Sequence, residues 1–255
     1  MAARDRDIFA GVGQSTVITT AGDCQVPILY RDGSMLVVGY RIDRHRAATA
    51  LSHVALEPLV MAGKALALLC IFEYRDTTIG PYNEIGLGVF ARRKARPLPI
   101  RRILRDVRSV DEVGMYVTNL PVNTPAAYAA GVELWGYPKY VTGIDTRFDG
   151  TSTTATLESE FELRHRVGRG ITIKGLPFIT FTCKHERLIR TVVEVGHMVR
   201  FGGARSLRIQ LTGDGPTSTT MKAFGLDSLR PTFVQRADGL RAVLPIGKDC
   251  GDALA

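Results

Sequence analysis

The sequence predicts an α+β protein, predominantly antiparallel β, with curved sheets closing into a barrel-like cavity and few short helices. Three observations carry this expectation. Apolar runs of strand length recur along the chain, about a dozen in all, bounded by glycine, proline and short polar residues. Residues 155–163 alternate, with Ala155, Leu157, Ser159, Phe161 and Leu163 set against Thr156, Glu158, Glu160 and Glu162, the pattern of a strand with one wet face. Helical signals are short and scattered, and no repeat, low-complexity tract or linker divides the chain, so the strands have only one another to pack against.

Taken in order, residues 1–27 read as an irregular arm and residues 28–250 as a single domain. Residues 35–41 form the first strand, and Asp43 caps a short helix through Ala47, Ala48, Ala50 and Leu51. Residues 65–74 are a continuous apolar run suited to a buried strand. Residues 82–91 are another, with Gly86 and Gly88 marking bulges or a close approach to the backbone. An arginine-rich segment links to a strand at 113–120. Thr124 and Pro125 start a helix whose body is Ala126, Ala127, Ala129 and Ala130, and Gly136 and Pro138 end it. Further strands are expected at 178–184, 188–195, 206–211, 230–235 and 241–244, with a short helix from Pro216 to about Phe224.

Bulk properties narrow the function. Hydrophobic content of 45% and charged content of 23% are ordinary for a globular protein. The formal charge of +8 is concentrated between Arg92 and Arg108, a window without aromatic residues for base stacking, and no nucleic-acid-binding motif accompanies it. This window reads as a solvated loop or an oligomer rim, so no nucleic-acid partner is expected and a homo-oligomer is. The longest apolar stretch, residues 65–72, is too short to span a membrane, and the first 25 residues lack the apolar segment of a secretory signal. The four cysteines are widely spaced and form no C-x-x-C pair, which fits reduced thiols and a cytoplasmic location. His45, His53, His165, His185 and His197 show no metal-ligand spacing, no phosphate loop follows a strand, and Glu158, Glu160 and Glu162 read as a solvated face. No metal and no cofactor is called for.

One stretch stands out: Gly131-Val132-Glu133-Leu134-Trp135-Gly136-Tyr137-Pro138-Lys139. It sets a lysine at the exit of an apolar, aromatic segment that holds the only tryptophan of the chain. Poor hydration disfavours an ammonium ion. A neutral amine in such surroundings can add to a ketone and form a Schiff base. The competing reading is a lysine that snorkels from a packed turn into water.

This stretch resembles the active-site segment of the acetoacetate decarboxylase family. Asp76-Thr77-Thr78-Ile79-Gly80-Pro81-Tyr82-Asn83-Glu84-Ile85-Gly86 resembles that family's second signature, and Gly203-Ala204-Arg205-Ser206-Leu207-Arg208-Ile209-Gln210-Leu211 is similar to a late strand of it. The likeness runs in order from about Tyr40 to Pro245. It implies that Lys139 forms the Schiff base, that Glu84 faces it, and that the β core is barrel-like with the lysine inside. Arg31 is the nearest match to an arginine expected before the first core strand, and Tyr82, Met115, Trp135 and Tyr137 are further substrate-binding residues of the pocket wall. Two positions depart from the family pattern. Tyr140 stands where the decarboxylases carry a second lysine, and Leu69 or Cys70 where they carry a glutamate.

The expected function is therefore decarboxylation of an acetoacetate-like β-keto acid through Lys139, with a small keto acid as the partner molecule. The departures keep a second reading open, a Schiff-base aldolase, dehydratase or cyclase acting on pyruvate or another 2-oxo acid. A third is a non-catalytic binder of a small carbonyl compound.

Overall fold

The computed structural model describes residues 7–254. It opens with a hairpin, β1 (Ser15–Thr19) and β2 (Gly22–Val26), and enters its longest strand, β3 (Ile28–Asp43). Helix α1 (Arg44–Ala50) follows, its first amides held by the Asp43 carboxylate, which accepts from the N–H groups of His45 and Arg46. Two short strands, β4 (Leu56–Pro58) and β5 (Val60–Met61), precede the long pair β6 (Lys64–Thr77) and β7 (Tyr82–Arg93). Helix α2 (Ile100–Arg105) lies in the arginine-rich segment, then come β8 (Val113–Asn119) and helix α3 (Pro125–Trp135). The later half contributes β9 (Ile144–Asp149), β10 (Ser152–Leu157), β11 (Phe161–Arg166), β12 (Gly170–Lys174), β13 (Phe178–Lys184) and β14 (Arg187–Val195). It closes with β15 (Met198–Gly202), β16 (Arg208–Leu211), helix α4 (Pro216–Phe224), β17 (Phe233–Ala237), β18 (Ala242–Leu244) and β19 (Lys248–Asp252).

Seven strands close a barrel in the order β3, β6, β7, β8, β13, β14, β18 and back to β3. Only β8 and β13 pair in parallel; every other junction is antiparallel. The predicted fold class, predominantly antiparallel β closing around a cavity with few short helices, is what the chain adopts.

Closure explains why β6 reads as an unbroken apolar run. Successive side chains of a strand point to opposite faces, and in this barrel both faces are dry. Ala65, Ala67, Leu69 and Ile71 face outward into a core shared with Leu36, Val38, Ile85 and Leu87. Leu68, Cys70, Phe72 and Tyr74 face inward, with Tyr30, Tyr82, Met115 and Val117. The outer core is sealed by α1, α4 and a four-stranded sheet of β9, β10, β11 and β16, whose Leu157, Phe161 and Leu163 pack onto the barrel wall.

Four expectations need correction. The arm is not irregular: residues 15–26 form the β1–β2 hairpin, with Cys24 and Val26 buried in the inner cluster. Residues 1–6 of that arm lie outside the described residues. Residues 155–163 are not one strand but the turn of the β10–β11 hairpin, because Ser159 takes φ +57° and Leu157 pairs with Phe161. Their alternation persists because the loop of Glu158, Ser159 and Glu160 brings Phe161 back to the face of Leu157. The core also runs past residue 250, since β19 reaches Asp252 and Ala253 is fully buried. Finally, β9, β12, β15 and β19 were not expected; all four are only five or six residues long and join their neighbours through backbone pairing.

Candidate active site

Lys139 hangs from a strap that the end of α3 creates. The Thr124 hydroxyl accepts the Ala127 amide at 3.3 Å and starts the helix, with Pro125 in its first turn. Gly136 ends it in the left-handed region, φ +66°. A Cβ at Gly136 would stand 2.7 Å from the Cys183 carbonyl oxygen, so glycine is required there both for conformation and for space. The strap then threads beside the end of β8. The Leu120 amide donates to the Pro138 carbonyl at 3.1 Å and the Val122 amide to the Tyr140 carbonyl at 3.0 Å. Side chains alternate along it: Tyr137 and Lys139 turn into the barrel, while Pro138 is exposed and Tyr140 turns away.

The lysine side chain is 5% exposed. Its stem lies across Gly131, one turn up the helix, where a Cβ would overlap Lys139 Cδ and Cε. Gly131 was quoted in the motif without a role; its function is to leave this channel open. Glu84, on the inner face of β7 opposite Phe72, is 9% exposed and its Oε2 contacts the Lys139 ammonium directly. The lysine Nζ also lies 5.7 Å from the centre of the Tyr82 ring.

The cavity around this pair has a volume of about 90 Å³. A buried water occupies roughly 10–15 Å³, so the space suits a molecule of a few heavy atoms. Met115, Val117, Ala127 and Ala130 form one side, and Trp135, fully buried with its indole N–H donating to the Pro245 carbonyl at 2.8 Å, forms the floor under α3. The other side is aromatic: Tyr30, Tyr74 and Tyr82 pack at centroid separations of 4.5–6.4 Å, with Phe72 stacked on Tyr74. The Tyr30 and Tyr82 hydroxyls bond each other at 3.0 Å, and Tyr137 bonds Thr180 at 2.8 Å. Burial pushes Tyr30, Tyr74 and Tyr82 well above the ordinary phenol range, with the nearby Glu84 carboxylate adding to it. Tyr137 and the Cys70 thiol are each pushed up to about 12, again by burial first. All of these groups are neutral at physiological pH.

Tyr82, Met115, Trp135 and Tyr137 thus lie together around Lys139 and Glu84. Arg31 does not join them. Its neighbour Tyr30 takes the inward position on β3, so Arg31 faces out, 45% exposed and paired with Asp76 at 3.3 Å. Among the described residues lining the cavity, Lys139 is the one cation. Tyr30 and Tyr74 were missed; the parity of β6, with Tyr74 in step with Cys70 and Phe72, was the available signal. The solvated face assigned to Glu160 is also wrong: it is 3% exposed, accepts the Tyr140 hydroxyl and takes the Ser218 amide at 2.7 Å. No group of three His, Cys, Asp or Glu side chains among the described residues is placed to hold a metal ion. No helix among them is long and apolar enough to cross a membrane.

What remains is an amine and a carboxylate in direct contact, sheltered from water and faced by neutral hydroxyls. Such a pair can pass a proton without changing the net charge of the cavity, and can release a nucleophilic amine in the process.

Comparison with known proteins shows the family and the fold. The family model described as acetoacetate decarboxylase matches residues 16–187. An acetoacetate decarboxylase of Acidiphilium cryptum (strain JF-5) is 27% identical over 122 residues, covering 48% of this chain and 42% of that relative, so the match spans less than half of the relative's length. Among solved structures, the acetoacetate decarboxylase of Legionella pneumophila subsp. pneumophila str. Philadelphia 1 superposes with a TM-score of 0.63 at 14% identity over 99% of both chains. The enduracididine biosynthesis enzyme MppR complexed with pyruvate superposes with a TM-score of 0.62 at 15% identity, over 89% of this chain and 91% of that one. An acetoacetate decarboxylase-like enzyme from Sphingomonas wittichii RW1 gives 0.63 at 16% identity, over 94% and 100%. At these identities the structural likeness speaks for the fold.

Proposed function

The chain belongs to the acetoacetate decarboxylase family, and we propose that it is a Schiff-base lyase that decarboxylates a short β-keto acid through Lys139. The observation that carries this reading is the buried Lys139–Glu84 pair, enclosed in a cavity with no other charged group among its described lining. Glu84 takes a proton from the ammonium, and the freed amine adds to the ketone carbon. Return of that proton to the carbinolamine hydroxyl expels water and leaves an iminium. The electron pair of the C–C bond to the carboxylate then moves onto the iminium, releasing carbon dioxide and an enamine. Protonation of the enamine carbon and hydrolysis liberate the ketone and restore the amine.

The cavity favours this sequence on electrostatic grounds. An apolar site raises the free energy of a bound carboxylate, and decarboxylation disperses that charge into the iminium. Aldol or dehydration chemistry on a 2-oxo acid keeps its carboxylate throughout and gains from a fixed cation partner, for which Arg31 is turned the wrong way. That rival is supported by the fold shared with MppR, whose structure holds pyruvate, and by the neutral residues Tyr140 and Cys70. The four free cysteines support a cytoplasmic, reducing setting.

Acetoacetate and pyruvate, each with borohydride, separate these readings. Acetoacetate should release carbon dioxide and leave one reduced adduct on the peptide containing Lys139. An adduct from pyruvate, with aldehyde-dependent turnover and no carbon dioxide from any β-keto acid, would transfer the assignment to aldol chemistry. Label scattered over surface lysines would end the Schiff-base reading.

A further inference from the structure

We infer that the phenols of Tyr74 and of the Tyr30–Tyr82 pair bind the carboxylate that leaves, in the place where an arginine would otherwise be expected. The inference rests on the decarboxylase reading and names the part of the site that makes it selective.

The position follows from the register. Tyr82 lies directly opposite Tyr74 across β6 and β7, one inward rung beyond the Phe72–Glu84 pair. A rung of two residues is roughly 7 Å, so a carboxylate at these phenols is one step along the strands from Glu84, although the Glu84 charge still reaches them. The Tyr82 ring is nevertheless the aromatic group that the Lys139 Nζ overlooks, at 5.7 Å. In the iminium of a β-keto acid the carboxylate is only two carbons from the carbon bonded to Nζ. Directed away from Glu84, it meets this cluster.

The donor count also fits. Tyr30 and Tyr82 share one hydrogen bond, which uses one of their two hydroxyl protons and leaves the other free. The Tyr74 hydroxyl has no hydrogen-bond partner among the described residues, although its ring is buried between Tyr30, Tyr82 and Phe72. Two O–H donors are therefore left without a partner among the described residues, on side chains that line the cavity, a number that matches the two oxygens of a carboxylate. Burial and the Glu84 charge keep these phenols protonated over the working range of pH, so they remain donors.

Neutral donors also suit the chemistry better than a guanidinium. A guanidinium would add the attraction of a full positive charge in a low-dielectric site, and that attraction would be spent on the ground state, since the product carbon dioxide carries no charge. Phenols orient the carboxylate out of the iminium plane without holding it back. The same donors would bind a neutral ketone weakly, which gives the enzyme a reason to prefer the acid over its own product.

The test compares two reactions of the same lysine. Decarboxylation of acetoacetate needs the carboxylate site; exchange of acetone methyl protons in deuterium oxide needs Lys139 and Glu84 but no carboxylate. Tyr74→Phe removes one free donor and the double variant Tyr30→Phe/Tyr82→Phe removes the other, and all three rings are kept; Tyr30→Phe alone would only free the Tyr82 hydroxyl. Each should lower kcat/KM for acetoacetate by about tenfold, the scale of one lost buried hydrogen bond, chiefly through KM. The ratio of decarboxylation to acetone exchange should fall with it. A ratio that stays at the wild-type value in both variants overturns the inference, whether or not both rates drop together from a perturbed fold. Failure of the decarboxylase reading shows earlier and separately: wild-type protein would exchange acetone protons yet release no carbon dioxide from acetoacetate, and this inference would fall with it.

Discussion

Lys139 and Tyr140 are neighbours in the chain, point in opposite directions, and each ends on a buried glutamate. Lys139 meets Glu84 inside the barrel, and Tyr140 donates to Glu160 outside it. The two carboxylates differ in what surrounds them. Glu160 accepts the Tyr140 hydroxyl and the Ser218 amide in the first turn of α4, while Thr217 bonds the Tyr140 hydroxyl at 2.8 Å. The Ser218 amide is a fixed donor at the positive end of a helix, and with the Tyr140 hydroxyl it holds the carboxylate in one orientation. The Tyr140 phenol is pushed upward by burial first, and by Glu160 as well, so it keeps its proton. Glu84 instead faces the ammonium of Lys139, and the proposed mechanism asks that group to give up its proton. A strap two residues wide thus has a hydrogen-bonded anchor on one side and the Lys139–Glu84 ion pair on the other.

The contrast can be broken from either side. Glu84→Gln keeps size and removes the proton acceptor. Turnover should fall by about 10²–10⁴-fold, the usual range for positioned acid–base help, with the fold intact by circular dichroism. Near-normal turnover would remove Glu84 from the chemistry. Gly131→Ala comes next. Alanine favours an interior helical position by about 1 kcal/mol, yet its methyl group overlaps the lysine stem. A displacement of this kind costs about 10–100-fold in kcat. The expected signature is lower activity without lower stability, read by steady-state kinetics alongside thermal melting.

Tyr140→Phe tests the anchor. It leaves Glu160 buried with one donor fewer, a cost of about 1–3 kcal/mol in unfolding free energy, measurable by urea denaturation. Turnover should change less than it does in Glu84→Gln, and the opposite ranking would mean that the anchor takes part in the chemistry. The smallest effect concerns pH. Burial holds the imidazoles of His165 and His197 below their ordinary value. A lowered histidine is neutral in the folded state where the unfolded chain would take up a proton. Its contribution to stability is therefore full above about pH 6.5 and is lost as the pH falls through the folded value. Urea midpoints between pH 8 and 5 should decline on the acid side, and replacing both histidines with glutamine should flatten that decline.

Lys139 was legible because Trp135, Gly136 and Pro138 set it at the exit of an apolar, aromatic helix end, and the structure buries it there against Glu84. Glu84 and Tyr82 were legible through a motif and share the inward face of β7. Arg31 was misread because motif spacing ignores parity: one residue along a strand is the difference between cavity and solvent. Glu160 was misread for the related reason that a turn at Ser159 changes which neighbours a residue meets, though the alternation of apolar side chains survives it. Tyr30 and Tyr74 were the hardest to see, because a phenol in a buried strand looks like core until the opposing strand shows that it borders a space. The β1–β2 hairpin had no apolar period to announce it. It is fastened by its Thr20 tip to Glu133, a residue of the lysine motif, through that threonine's amide at 3.2 Å and its hydroxyl.

The barrel closes through Tyr30 on Ala242 and Leu29 on Val243, the first strand of the ring on the last. Loop-closure entropy makes such distant pairing slow to form, and it places folding toward the millisecond-to-second regime of non-local β proteins. On a ribosome the consequence is one of timing. Lys139 and Glu84 are both synthesised long before β18 exists to shut the ring, so both side chains pass through a period in water. The cavity around Lys139 is complete only with that strand, because Ala242 and Leu244 of β18 line it.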